Sequence, residues 1–232
     1  MKKTLLSLSL FFLAIFCFHQ RALAQYGDAG GYNNQGSVSG QVLVGSQGFG
    51  LEARYGISES LSGRLGGSFL PATANNVFTI NGFNSTTNVS AKFYNVHLLA
   101  DYTPSEDLQW LRIVGGAAYL YKAQGSIGVL PTGNYNVANY SISSAEMGNL
   151  NIDVSWKGVA PYVGLGFFKC FPSNVFNMNL DLGTYYLNQP KSTIIGTKLL
   201  ADNYKLEPQV DSNLKSYRWL PVLQVNFNFR IQ

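Results

Sequence analysis

Asn177-Met178-Asn179-Leu180-Asp181-Leu182-Gly183-Thr184-Tyr185-Tyr186 decides how this chain is read. In an extended strand Met178, Leu180, Leu182 and Tyr186 share one face, and Asn177, Asn179, Asp181, Gly183 and Tyr185 share the other. Successive strand side chains point to opposite faces, so this segment has one apolar and one polar side. A length of about ten residues suits a strand that crosses a membrane.

The same period recurs on both sides of it. Residues 220–231 set Leu223, Val225, Phe227, Phe229 and Ile231 against Gln224, Asn226, Asn228 and Arg230. Residues 159–168 set Val163, Leu165 and Phe167 against Tyr162, Gly164 and Gly166. In residues 111–122, Leu111, Ile113, Ala117 and Tyr119 face away from Arg112, Val114, Gly116 and Ala118. Residues 94–102 oppose Tyr94, Val96, Leu98, Ala100 and Tyr102 to Asn95, His97, Leu99 and Asp101, with a tyrosine at each end as in an interfacial girdle. Residues 61–70 and 49–55 alternate likewise, and place Arg64 on one polar face and Glu52 and Arg54 on another.

Composition narrows the class. Charged residues make up 12% of the chain and aromatics 14%, with 24 glycines; soluble domains carry about twice that charge. Lys2 and Lys3 followed by the apolar residues 5–18 and the small Ala22-Leu23-Ala24 read as a cleaved export signal over residues 1–24, leaving residues 25–232 as one domain. Arg21 closes the apolar run short of the roughly 20 residues a spanning helix needs. Removing Lys2, Lys3 and Arg21 leaves 13 basic residues against 12 acidic ones, a charge near +1, so the basic balance is no argument for a nucleic-acid partner. Cys170 then stands without a second cysteine, which excludes a disulfide framework and argues against a thiolate metal site.

No later segment is apolar enough to cross as a helix, and lipid offers the backbone no hydrogen-bond partner, so alternating strands in a membrane must close into a barrel. A soluble sandwich would show many more charges on its polar face. The connections also alternate: short ones near residues 57–60, 104–109 and 171–175, long ones over about 72–90, 123–157 and 189–217. The predicted fold is all-β: a transmembrane antiparallel up-and-down β-barrel of about eight strands, with short periplasmic turns and long extracellular loops. The count of eight requires residues 37–44 as a first strand turning at Gly45-Ser46-Gln47-Gly48; the alternative is one long strand over 37–55 kinked at its glycines. In the last long loop Leu199, Leu200 and Leu206 suggest a short amphipathic helix.

Certain of these residues carry a resemblance. Gly48-Phe49-Gly50-Leu51-Glu52, Arg64-Leu65-Gly66, Asp101-Tyr102-Thr103-Pro104, Thr132-Gly133-Asn134-Tyr135, Ala145-Glu146-Met147-Gly148, Ala160-Pro161-Tyr162-Val163-Gly164-Leu165-Gly166, Leu180-Asp181-Leu182-Gly183 and Tyr186-Leu187-Asn188-Gln189-Pro190 occur in that order, followed by Tyr217 and Pro221-Val222. The set resembles the small single-domain, porin-like outer-membrane β-barrel proteins of Gram-negative bacteria and spans nearly all of the mature chain. The resemblance implies location in the cell outer membrane, contact with outer-membrane lipid and lipopolysaccharide, and insertion by the barrel-assembly machinery. It supplies no substrate. Ile231 stands where the family has a terminal aromatic, which bears on assembly efficiency.

The inward charges Glu52, Arg54, Arg64, His97, Asp101, Arg112, Asp181 and Arg230 are the candidate site. Two readings are open. An eight-stranded barrel is just wide enough for side chains to fill it, so the charges form a buried network that plugs the lumen. Alternatively, inner glycines such as Gly50, Gly66, Gly116, Gly164, Gly166 and Gly183 leave a narrow charged path for small solutes. Catalysis has little support: with the leader gone His97 is the sole histidine, and it faces inward, away from lipid. No cofactor is implied. The functional expectation is a structural surface protein or a small passive channel; the alternative is binding or adhesion through the loops, of which that over about 123–157 is rich in Asn, Gly and Ser and carries Tyr135 and Tyr140.

Overall fold

Eight strands close into one antiparallel ring in the computed structural model, which describes residues 35–78, 80, 84–137, 140–170 and 176–231. The predicted leader, residues 1–24, and the turn 171–175 lie outside the described residues. In chain order the ring strands are β1 (Val38–Gly45), β2 (Gly48–Gly56), β3 (Leu61–Asn75), β4 (Ser85–Tyr102), β5 (Leu111–Pro131), β8 (Leu150–Cys170), β9 (Phe176–Tyr186) and β11 (Trp219–Arg230). Each pairs with its neighbours, β1 pairs with β11, and β9 pairs back on β8. Three further strands lie outside the ring: the hairpin β6 (Tyr135–Val137) and β7 (Tyr140–Ile142), and β10 (Lys191–Gly196), which adds to the loop end of β8.

The first strand is β1, separated from β2 by Ser46-Gln47, so the single kinked strand is set aside. Gly48, the first residue after this two-residue turn, holds φ +87°, and a Cβ there would lie 2.1 Å from the Phe69 carbonyl oxygen. Only glycine fits both demands.

The long connections are shorter than expected. β3 runs to Asn75, β4 starts at Ser85, β5 runs to Pro131 and β8 starts at Leu150, so the strands continue through much of 72–90 and 123–157. Gly125, Ser126 and Gly128 of β5 pair with Val154, Asp153 and Asn151 of β8. Ladder hydrogen bonds join backbone groups, so the pairing persists after the apolar alternation of the side chains has ended.

A β-bulge marks the change. Between Leu120 and Ala123, β5 places two residues against one of β8, so Leu120 and Ala123 both turn inward while Tyr121 and Lys122 are both exposed. Aromatic side chains belt the outside at two levels: Phe49 with Phe69, Tyr119 with Tyr121 and Tyr186 with Trp219 toward the loops, Trp110 with Phe167 and Phe176 with Phe229 toward the turns. Leu51, Leu65, Leu98, Val163 and Leu223 lie exposed between the belts, and lipid covers such a band.

In the last loop the expected helix is a 3-10 stretch, Lys198–Leu206, running into an α-helix, Glu207–Leu214. Leu199 and Leu206 are exposed, and polar clips tie the segment to β10. Asp211 Oδ1 accepts the Ser192 N–H at 2.6 Å and hydroxyl at 2.5 Å, and Glu207 Oε1 accepts the Ile194 N–H at 2.6 Å. These carboxylates cover the outer edge of β10, which would otherwise expose its donors.

Candidate functional site: the charged lumen

Arg64 sits at the centre, 1% exposed. From β3 its Nη1 donates to Asp181 Oδ2 at 2.7 Å, its Nε lies 3.0 Å from Asp101 Oδ1, and its Nη1 lies 3.5 Å from Glu52 Oε1. Arg112, on β5, reaches the same two aspartates: Nη1 to Asp101 Oδ2 at 2.8 Å and Nη2 to Asp181 Oδ1 at 2.9 Å. Arg54 lies 3.5 Å from Asp101 and donates to the Ser62 hydroxyl at 3.1 Å. Three guanidinium groups thus face three carboxylates, Glu52, Asp101 and Asp181. Buried charge is tolerable only with partners and further hydrogen bonds, and Asn226 supplies one to Asp181 at 2.8 Å while Asn179 accepts one from Arg112 at 3.0 Å.

His97 is bracketed, with Nε2 2.8 Å from Glu52 Oε2 and Nδ1 2.9 Å from Asn95 Oδ1. Asn95 passes the network on to Ser68 and to Gln47 in the β1–β2 turn, and Gln47 donates to Gln224 at 3.3 Å. Seven of the eight residues singled out in the sequence therefore meet in one polar web. Arg230 does not join them in the interior: it lies exposed at the end of β11, opposite Ser39, because its inward parity falls at the rim of the wall.

Glycines shape the seat of this web. A Cβ on Gly166 would lie 2.6 Å from Arg112 Nη2, and one on Gly183 would lie 2.3 Å from the Tyr162 hydroxyl. The room these glycines leave is filled by those two side chains. Toward the loops the lumen is apolar: Phe93, Leu120, Ala123, Tyr185, Leu187 and Val222 pack in one buried cluster with Ala118, Ala160 and Tyr162. Parity marked Tyr162 and Tyr185 as inward, but nothing in a one-dimensional pattern showed that their rings pack together at 4.7 Å.

Two solved structures from Acinetobacter baumannii share the architecture. CarO is 25% identical, with a TM-score of 0.61, over 84% of this chain and 97% of that one. The chain is a small bacterial outer-membrane β-barrel protein. CarO2 matches this barrel in fold at 22% identity and a TM-score of 0.59, over 84% of this chain and 98% of that one. These neighbours of the outer-membrane barrel are themselves outer-membrane barrels rather than enzymes. No protein-family model and no curated protein matches the sequence.

Proposed function

We propose that this barrel is a closed surface protein whose working part is its ordered extracellular cap, and that it is neither an open pore nor an enzyme. The filling of the lumen supports the reading. Arg64 and Asp181 meet at 2.7 Å from strands four apart in an eight-stranded ring, and an apolar layer lies above them. A solute path would have to break both the ion pairs and the packed layer. Leaving a buried charge unpaired costs about 3–5 kcal/mol.

Binding residues lie disproportionately on loops that a rigid scaffold positions, and several contacts tie the described part of the cap together. Ser143 and Glu146 form a reciprocal capping box on the short helix Ser144–Met147, Lys198 donates to the Ala145 carbonyl, and β10 ties the last loop to β8. His97 lies far from lipid in this reading, held by Glu52 and Asn95, which suits a structural side chain better than a general base.

Lipid contact belongs to the same proposal. Lys92, Lys122 and Lys157 stand exposed on the adjacent strands β4, β5 and β8, just loopward of Tyr94, Tyr121 and Val159. That position suits anionic headgroups such as the phosphates of lipopolysaccharide, with the stems along the apolar band. Insertion by the barrel-assembly machinery completes the set of partners.

Conductance of the refolded mature protein in a planar bilayer tests the closed reading, with heat-dependent gel mobility as the folding control. The folded barrel is expected to give no discrete steps. Reproducible steps from folded protein, altered by Arg64→Gln, would overturn it.

A further inference from the structure

The β1–β2 turn is low in the wall. Pairing between β2 and β3 ends at Phe49↔Phe69, and pairing between β1 and β11 ends at Gly45↔Gln224. The neighbouring strands continue: β3 to Asn75, and β11 back to Trp219. Above the turn, Leu70 to Asn75 and Trp219 to Pro221 therefore have ladder partners on one side only, apart from the Ser46 hydroxyl, which donates to the Pro221 carbonyl at 3.3 Å. The wall has a notch there, flanked by the belt aromatics Phe49, Phe69 and Trp219.

Behind the notch is a cavity of about 340 Å³. Its floor is the top of the apolar cluster, with Leu70, Trp156 and Leu220 packed against Phe93, Ala123 and Leu187. Consecutive residues of β11, Trp219, Leu220 and Pro221, all line it. Alternate residues of a strand face opposite sides, so the cavity reaches from the lumen side of β11 to its outer side. Lys92 is its one charged lining residue. Ligand pockets start at about 300 Å³ and are mostly apolar, and apolar cavities take up apolar molecules.

We propose that this cavity binds the alkyl chain of a single-chain amphiphile, admitted sideways from the outer leaflet through the notch above Ser46 and Gln47. The notch lies at the level of the aromatic belt, so its mouth is continuous with the lipid-facing band. The alkyl chain removes the apolar floor from water, and the head group remains at the interface. The site does not depend on whether the lumen below conducts.

Trp156 is the reporter. The chain has three tryptophans, so Trp110→Phe with Trp219→Phe leaves it alone, on the cavity floor with its indole N–H donating to the Tyr217 carbonyl at 3.3 Å. The protein in zwitterionic nanodiscs is titrated with a bromine-labelled decanoic acid. Saturable quenching of Trp156 is expected. Gly125 lines the cavity and a Cβ there meets nothing within 4 Å, so Gly125→Phe sends a ring into this space and should abolish the saturable part. Ala91→Phe, also in the lining, should do the same should the first variant fail to fold. Quenching that rises linearly with the probe and is untouched by both filled variants would overturn the proposal.

Discussion

Arg64 and Asp181 join opposite walls of the barrel: β3 and β9 are four strands apart in either direction round the ring, yet the guanidinium and carboxylate meet at 2.7 Å. Asp181 also holds Arg112 at 2.9 Å. Removing it takes a carboxylate partner from two buried cations at once, leaving Asp101 to serve both. Asp181→Ala is expected to lower stability by about 3–5 kcal/mol, read as an earlier midpoint of heat-modified mobility or of urea unfolding. The double variant Arg64→Met with Asp181→Leu is expected to cost less than the two single losses added, with a coupling of roughly 0.5–3 kcal/mol. Additive losses would mean that the contact is incidental.

Gly166 tests the packing of the same cluster from the wall side. A methyl there overlaps the Arg112 guanidinium, with the nearest nitrogen 2.6 Å away. Gly166→Ala should destabilise the barrel by about 1–3 kcal/mol, the usual cost of overfilling a packed interior. Gly115 lies on the same β5 and a Cβ there meets nothing within 4 Å. Gly115→Ala should be neutral or slightly stabilising, and equal losses at both glycines in an unfolding titration would contradict this account.

The contrast between these positions also shows what a sequence can and cannot reveal. Period-two alternation identifies the face on which Glu52, Arg64, His97, Asp101, Arg112 and Asp181 lie, because lipid on one side and lumen on the other impose opposite chemistries. It says nothing about which partner a side chain reaches across the lumen, since Arg64 and Asp181 are 117 residues apart. Beyond the lipid band, at Gly125 to Gly128, neither face is fully buried and the contrast fades although the ladder continues. The bulge at Tyr121 and Lys122 breaks the parity without leaving a distinctive residue. Arg230 has inward parity but falls at the rim, because alternation carries no measure of height in the wall.

The clip on β10 gives a pH signature. The Ser192 hydroxyl first and the Ser192 N–H second hold the Asp211 carboxyl below its ordinary value of 3.8. A depressed folded-state value means the contribution is complete above the ordinary carboxylate range and is lost as the pH falls through the lower, folded value. The amide resonance of Ser192 should accordingly stay constant from pH 7 down to about 4 and shift only below the ordinary Asp midpoint. Asp211→Asn should remove that titration. A Ser192 shift centred at or above the ordinary midpoint would show that the clip is not formed in solution.

The lysines of β4, β5 and β8 yield a test for the lipid partner. Lys92, Lys122 and Lys157 make no salt bridge among the described residues, so an anionic headgroup meets no competing carboxylate there. Each basic side chain at an anionic surface adds about 1 kcal/mol, and salt screens the attraction beyond ~10 Å at 0.1 M. Phosphate-bearing lipid A in the bilayer should therefore raise the heat-modification midpoint of the native protein above its value in zwitterionic lipid, more at low salt than at high. Changing all three lysines to glutamine should remove most of that rise and leave the midpoint in zwitterionic lipid unchanged, since the side chains point away from the packed lumen. A rise that persists in the triple variant would move the contact elsewhere on the barrel, with Arg218 next in line: its guanidinium lies 4.3 Å over the Tyr186 ring at the same belt.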